Sequence, residues 1–440
     1  MAVHFTGIKG TGMAALAGIL ADEGFEVNGS DIDKYIFTQD ELEKRHIPVT
    51  SFDPDTIHSG DTVIVGLSFD EHHPEAARAL ADPTVEVYWY NEYLGRLLER
   101  YESICIAGTH GKSTTTGLLA SVLKLHAPTG FLIGDGHGSM PQNAKYFILE
   151  SCEFQRHFLA YHPDYAIITN IELDHVDYYR DMDDYVAAFQ SFADQIGKLA
   201  VVCGDDEHLM QLHYSCPRVT YGLKDGCDYQ AVNVTDDAAG ISFDVKKGGQ
   251  IIAHTSLPES GYPFLIDSLG VFAMASELGM DPEAIEQGLH DYRGINRRFV
   301  IEEAGNSILI DDYAHHPTAI RYMIEAARNR YPGRKVIALY KPDRYSRLQY
   351  FLDGFADALK QADEAVLLDF PGNAVREDES ITVTIQDLID RVPGSQLGQI
   401  DEQTAGELAA EDGAVFLFMS SKDIYLLRDM VRSLLCGSGH

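Results

Sequence analysis

Gly108-Thr109-His110-Gly111-Lys112-Ser113 lies between an apolar run at residues 103–107 (Ser-Ile-Cys-Ile-Ala) and a helix-like stretch at residues 112–126, whose first turn reads Thr114-Thr115-Thr116. A glycine turn joining a strand to a helix is where an anion cradle must form. Backbone N–H groups and the positive helix end then face one point. In that setting Lys112 reaches the terminal phosphates of a nucleotide and the Ser113 hydroxyl ligates Mg²⁺. The usual phosphate loop places a glycine five positions before Gly111, where this chain has Ile106, so the loop is a shortened variant. Residues 108–114 are the expected phosphate-binding segment.

Outward from this loop, strand-like and helix-like runs alternate almost throughout, the mark of an α/β protein. Toward the N-terminus, residues 4–8 and 25–31 read as strands and residues 13–22 as a helix, with further strands at 62–66 and 85–89. Between the first strand and helix stands Gly7-Ile-Lys-Gly10-Thr11-Gly12-Met13. Its glycine spacing departs from the dinucleotide fingerprint, yet its place fits a diphosphate site, with Asp31 after the second strand positioned for a ribose. Toward the C-terminus, strands are expected at 146–149, 165–169 and 199–203. Hairpins follow at 227–255 and a helix at 268–279. A last α/β unit has strands at 308–312, 336–340, 365–370 and 414–419 and helices near 318–328, 350–361 and 424–435. The expected architecture is three α/β domains. They are a Rossmann-like unit (1–98), a phosphate-loop mononucleotide unit with a small added β-sheet (99–296) and a second Rossmann-like unit (297–440).

The chain has 440 residues, and 68 acidic against 34 basic side chains give a net charge of −34. Such a field repels a nucleic-acid backbone, while local cations or a helix terminus can still hold a small anion. Six scattered cysteines without a C-x-x-C pair fit a reducing compartment. No basic-apolar leader and no apolar run long enough for a bilayer occurs, so a cytoplasmic protein is expected, with neither nucleic-acid nor membrane partners.

Seven segments occur together in the order found in the Mur ligases, a family this chain resembles over nearly its whole length. They are Gly7 to Met13, Gly108 to Thr116, Glu150-Ser-Cys-Glu153, Thr169-Asn-Ile-Glu172-Leu-Asp-His175, Arg297-Arg298-Phe299, Asp311-Asp-Tyr-Ala-His315-His316-Pro-Thr and Tyr345-Ser-Arg347. The resemblance implies an ATP-dependent ligase of peptidoglycan precursor synthesis that joins L-alanine to UDP-N-acetylmuramate through an acyl phosphate, acting as a monomer or homodimer. It implies Gly10, Thr11, Gly12, Met13, Ser30 and Asp31 around the UDP-sugar, and Lys112, His175, Arg297 and His315 in catalysis. Ser113, Glu153 and His175 would hold Mg²⁺, with Mn²⁺ an acceptable substitute because His is a nitrogen ligand. Arg344 and Arg347 would grip the acceptor's carboxylate.

Three segments depart from the family pattern. Gly261-Tyr-Pro-Phe264-Leu-Ile-Asp267 replaces a segment whose asparagines read adenine; a Phe can only stack there and an Asp only accept. Lys341-Pro342-Asp343 stands for Gln-Pro-His, and Ser420-Ser421-Lys422-Asp423 for a glycine-rich turn. These departures point to a changed acceptor, a changed nucleotide or a weakly active relative as the alternatives.

Overall fold

The structure is a computed structural model that describes residues 2–437 other than Asn296 and Asn373. The expected domain boundary at residue 296 therefore falls on a residue outside those described, as do residues 438–440. Three β-sheets organise the described residues.

The first sheet is wholly parallel, in the order Val49–Thr50, Val27–Ser30, Val3–Thr6, Thr62–Val65, Glu86–Trp89. The helix Thr11–Asp22 follows its central strand and is buried from Met13 to Leu20, which explains the unbroken apolar run there. It also packs on the central unit: a Cβ on Gly138 would stand 2.5 Å from the Ala15 carbonyl, so only glycine permits that approach. The apolar core is accordingly continuous between the first two sheets, through Leu16, Ile19, Leu132 and Ile148.

The central sheet has ten strands. Parallel pairing runs from Arg218–Gly222 through Leu199–Cys203, Tyr165–Ile168, Glu102–Ala107 and Tyr146–Glu150 to Thr129–Leu132. The expected hairpins are the antiparallel strands Tyr229–Asp237, Gly240–Lys247 and Gln250–Leu257. They join the parallel strands through a short pairing at Tyr221 and Gly222. The helix expected from residue 268 begins earlier and spans Tyr262–Glu277. Gly261, at φ 103°, turns the chain into it, and Pro263 suits its first turn, where a missing N–H costs nothing.

The third sheet places Val300–Ala304 antiparallel to Ser307–Asp312. It continues in parallel through Val415–Met419, Val336–Tyr340, Glu364–Leu368 and Gln396–Gly398. Its cores lie on both faces. The single helix expected at 350–361 is instead two, Tyr345–Tyr350 and Leu352–Leu359, broken at Phe351 (φ −105°, ψ 23°). Phe264 belongs to this third core, its ring 6.1 Å from that of Phe299 and 4% exposed. It closes the joint between central and third units and presents no free face to a base. No helix among the described residues is long and apolar enough to cross a membrane.

Candidate active site

Three neighbouring parallel strands, Tyr146–Glu150, Glu102–Ala107 and Tyr165–Ile168, end side by side. Their carboxyl ends deliver Glu150 to Glu153, the glycine loop, and Thr169 to His175 to one edge, the usual place for a ligand in an open α/β sheet. Gly111 caps the helix Lys112–Leu123 in the left-handed region (φ 83°), and no acidic residue occupies the helix's first turn. The positive end is thus left open to an anion.

The loop is held from below. Thr169 Oγ1 donates to the His110 carbonyl at 2.6 Å, and Asn170 Oδ1 accepts from the His110 N–H at 3.0 Å. Lys112 Nζ folds back over the loop, donating to the Gly108 carbonyl at 2.6 Å and lying 2.8 Å from Glu153 Oε2. Burial alone would depress the lysine and raise the acid. Their mutual attraction prevails, so Lys112 titrates above its ordinary range and Glu153 is held down at about 2. Both are charged at neutral pH. A cation is thereby fixed over the glycine loop.

Glu153 Oε1 also lies 3.5 Å from His175 Nε2, and His175 adopts a left-handed backbone (φ 51°). Ser113 Oγ donates to Glu150 Oε1 at 2.9 Å. These side chains are of the donor types a divalent cation takes, although among the described residues the group of possible ligand atoms that converges within 4.8 Å is His110, Glu172 and His316. Glu150, Glu153 and Ser113 supply hard oxygens, Glu153 Oε2 has only its ion pair with Lys112, and His175 Nδ1 has no hydrogen-bond partner. Glu150 was not singled out from the sequence, although it ends a strand within a segment already marked.

The third unit closes on this edge through one short acidic loop. Glu172 Oε2 accepts from His110 Nε2 at 2.7 Å, and Glu172 Oε1 accepts from Thr318 Oγ1 at 2.6 Å. His316 Nδ1 lies 3.7 Å from Glu172, completing a His110–Glu172–His316 group whose ligand atoms lie within 4.8 Å of one another. Asp174 takes Arg347 Nε at 2.8 Å, and Asp177 pairs with Arg344. His315 Nδ1 lies 2.9 Å from the Tyr313 carbonyl, and its Nε2 lies 3.9 Å from Asp174. The carbonyl can only accept, so Nδ1 carries the proton and Nε2 a lone pair. Burial pushes His315 down to about 3, leaving it neutral.

Arg347 differs from expectation. Its guanidinium is spent on two buried carboxylates, Asp174 and Asp343, and leaves no free fork for an acceptor. Arg297 differs too: it turns into the third unit, to Ser420's carbonyl and Asp311. Arg298 takes the place given to it, its Nη2 donating to Ser113 Oγ at 3.0 Å. Asp267, one of the departures, lies beneath the loop. A Cβ on Gly111 would meet its Oδ1 at 2.4 Å. Burial raises its carboxyl well above the usual range, so it sits there uncharged.

At the first sheet, Gly10 and Thr11 are exposed at the start of a helix with no acidic residue in its first turn, while Met13 is buried behind them. Asp31 is engaged internally, accepting from the Lys9 N–H at 2.7 Å and the Ile32 N–H at 2.7 Å. The Ser30 hydroxyl points inward to Glu75 Oε2 at 2.6 Å, shared with Thr6 at 2.8 Å. Gly12 is needed because Tyr90 Oη would lie 2.3 Å from a Cβ there. These residues shape the turn; Gly10 to Gly12 are its open part.

A phosphate loop with its lysine and carboxylates, facing a third α/β unit that brings arginines to it, defines an ATP-dependent ligase. The Mur ligase family, catalytic domain matches residues 2–102, the Mur ligase middle domain residues 106–262, and the Mur ligase, glutamate ligase domain residues 296–422. The chain belongs to the Mur ligase family, ATP-dependent amide ligases of peptidoglycan synthesis. UDP-N-acetylmuramate-alanine ligase MurC from Thermotoga maritima superposes with a TM-score of 0.80 at 27% identity, covering 98% of each chain. A murein peptide ligase from Psychrobacter arcticus gives 0.72 at 22% identity over 99% of each chain. MurF from Thermotoga maritima in complex with ADP gives 0.68 at 18% identity, covering 88% of this chain and 97% of that one. The last two speak to the fold.

Proposed function

We propose that this chain uses ATP to join the carboxylate of UDP-N-acetylmuramate to the amine of an amino acid or peptide, with L-alanine the acceptor that the likeness to MurC suggests. The observation that carries this reading is the Lys112–Glu153 pair set over the glycine loop, with Arg298 arriving from the third unit.

The sugar nucleotide lies with its diphosphate at the open helix start of Gly10 to Gly12 and its muramyl carboxylate toward Lys112. A carboxylate oxygen attacks the γ-phosphorus and the bond to the ADP oxygen breaks, giving an acyl phosphate. The amine nitrogen then attacks the acyl carbon, the C–O bond to phosphate breaks, and the departing phosphate takes the amine's proton. Lys112 and Arg298 neutralise charge on the moving phosphoryl group, which is most of what such a transfer requires. Ser113, Glu150, Glu153 and His175 would hold Mg²⁺, which supplies further neutralisation of the phosphate oxygens. His315, neutral and with a low pKa, accepts a hydrogen bond from the amine and orients its lone pair; it is too weak a base to strip an ammonium outright. Closure of the third unit excludes water from the acyl phosphate.

Phosphate release tests this with ATP, Mg²⁺ and UDP-N-acetylmuramate, each omitted in turn, with and without L-alanine. Release requiring all three together with an amine is expected. Release with ATP and Mg²⁺ alone, indifferent to the sugar nucleotide, would mark a plain hydrolase. A peptide acceptor is a second reading, favoured by the engagement of Arg347 with Asp343.

A further inference from the structure

Glu172 presents two carboxylate oxygens at the joint between the central and third units, and they are used unequally. Oε1 accepts from Thr318 Oγ1 at 2.6 Å, which holds the carboxyl from the side of the third unit. Oε2 faces two imidazoles, one from each unit: His110 Nε2 at 2.7 Å and His316 Nδ1 at 3.7 Å. The two rings are neighbours, with centroids 4.9 Å apart.

The contact with His316 lacks something between its two atoms. His316 Nδ1 accepts from the Thr318 N–H, at a long 3.4 Å, where the helix Pro317–Arg330 begins. Nδ1 therefore carries a lone pair and Nε2 the hydrogen. That lone pair stands opposite Glu172 Oε2, which is an acceptor as well, so no hydrogen joins them. Nε2 is buried and has no hydrogen-bond partner among the described residues. Phe351 packs against the ring edge-on at 4.7 Å and keeps it beside the carboxylate.

A metal ion satisfies this arrangement. Two imidazole nitrogens and one carboxylate oxygen are the donor set of a dication of the Zn²⁺ class, whereas Mg²⁺ prefers oxygen throughout. Tetrahedral bonds of about 2.0–2.2 Å place ligand atoms roughly 3.3–3.5 Å apart. The 3.7 Å pair is already close to that spacing, and all three ligand atoms lie within 4.8 Å of one another. The ion takes the place of the hydrogen between His110 and Glu172. His110 then carries its proton on Nδ1 and stays neutral, and the carboxylate balances half the charge of the ion. His110 and Glu172 are partly exposed, so water can complete the coordination.

We propose that His110, Glu172 and His316 form a binding site for a transition-metal dication of the Zn²⁺ class, which ties the third unit to the central unit. The site shares no residue with the Mg²⁺ donors Ser113, Glu150, Glu153 and His175, and it holds whichever amine the ligase uses.

The test adds Zn²⁺ to the untagged chain in excess Mg²⁺, without nucleotide or sugar. One Zn²⁺ per chain is expected to bind with a Kd on the order of 1–10 µM, weaker than a structural site with four protein ligands. At about 100 times that Kd it should raise Tm by about 3 °C. X-ray absorption at the zinc edge should count two imidazoles, whereas the Mg²⁺ donors contain a single histidine and could supply only one. His316→Asn, which keeps an acceptor at the helix start, should weaken Zn²⁺ at least tenfold and lower the imidazole count. His175→Asn should change neither. An imidazole count of one in the wild type overturns the proposal, whether or not a variant folds, as does a Kd weaker than about 100 µM. Binding that survives in folded His316→Asn, or that is lost in folded His175→Asn, overturns it too.

Discussion

Arg298 Nη2 donates to Ser113 Oγ at 3.0 Å, so a residue at the start of the third unit touches the hydroxyl at the heart of the central loop. Its neighbour Arg297 faces the opposite way, because positive φ at Arg297 (59°) and Phe299 (51°) twists the backbone sharply through this joint. The two arginines therefore separate into different tasks. Arg298→Ala is expected to lower kcat about 10²- to 10³-fold, on the scale of removing one preorganised donor from developing charge, with little change in Tm. Arg297→Ala removes the bond to the Ser420 carbonyl and the weaker of two cations at Asp311, which keeps Arg428 at 2.8 Å, so it should lower Tm by a few degrees at most with a smaller effect on kcat. Steady-state kinetics alongside thermal melts distinguish them, and the reverse pattern would show that Arg297 faces the nucleotide.

Lys112→Ala should remove several kcal/mol of transition-state stabilisation, a loss of about 10³-fold or more in kcat. The same change strands Glu153 in a buried position beside only His175, so its carboxyl, now at about 2, should rise. Lys112→Ala,Glu153→Gln removes both charges together and is expected to regain stability over the single variant without regaining activity. Melting temperatures of the three proteins at pH 7 measure that coupling.

The glycine loop, its place between strand and helix, and the α/β alternation were legible because each rests on local pattern: apolar runs of strand length, a glycine turn, a helix start. Glu150 and Arg298 were not, since pattern places a side chain on an element but does not aim it, and adjacent arginines look alike until the backbone twist between them is known. The engagement of Arg347 was hidden for another reason. Asp174 lies 173 residues away in sequence, and only the meeting of two sheets brings it there. Phe264 likewise read as a substitute at a base site, whereas it fills the third unit's core.

Gly111→Ala tests the loop's geometry directly. The position has φ 83°, which costs an L-residue about 1–2 kcal/mol, and the new Cβ would lie 2.4 Å from Asp267 Oδ1 and 2.8 Å from Oδ2. Asp267 is buried, so it cannot swing clear into solvent. The expected outcome is at least a tenfold weaker ATP affinity by calorimetry. Gly111→Ala,Asp267→Ala should recover part of it by relieving the clash while keeping the backbone strain. If both variants bind ATP as the wild type does, the nucleotide does not use this turn.

Acid should loosen the joint between central and third units in two stages. His316 is buried at 2% exposure and held down at about 4, and His315 is held at about 3; burial is the chief cause for each. A histidine whose folded pKa lies below the unfolded 6.5 contributes its full stability above pH 6.5 and loses it as pH falls toward the folded value. For His316 that loss is ~2–3 kcal/mol between pH 6.5 and 4. Glu172, held at about 2 chiefly by His110 against the cost of burial, keeps its contribution above pH 4.5 and loses it only below. His316→Asn retains a side-chain acceptor at the start of the helix Pro317–Arg330 while removing the titration. It should flatten the fall of Tm between pH 6.5 and 4 and leave the steeper fall below pH 4.5. Glu172→Gln should do the opposite, lowering Tm at neutral pH and blunting only the lower stage. A wild-type Tm that holds constant from pH 7 to pH 4 would mean that neither histidine is buried uncharged at the joint.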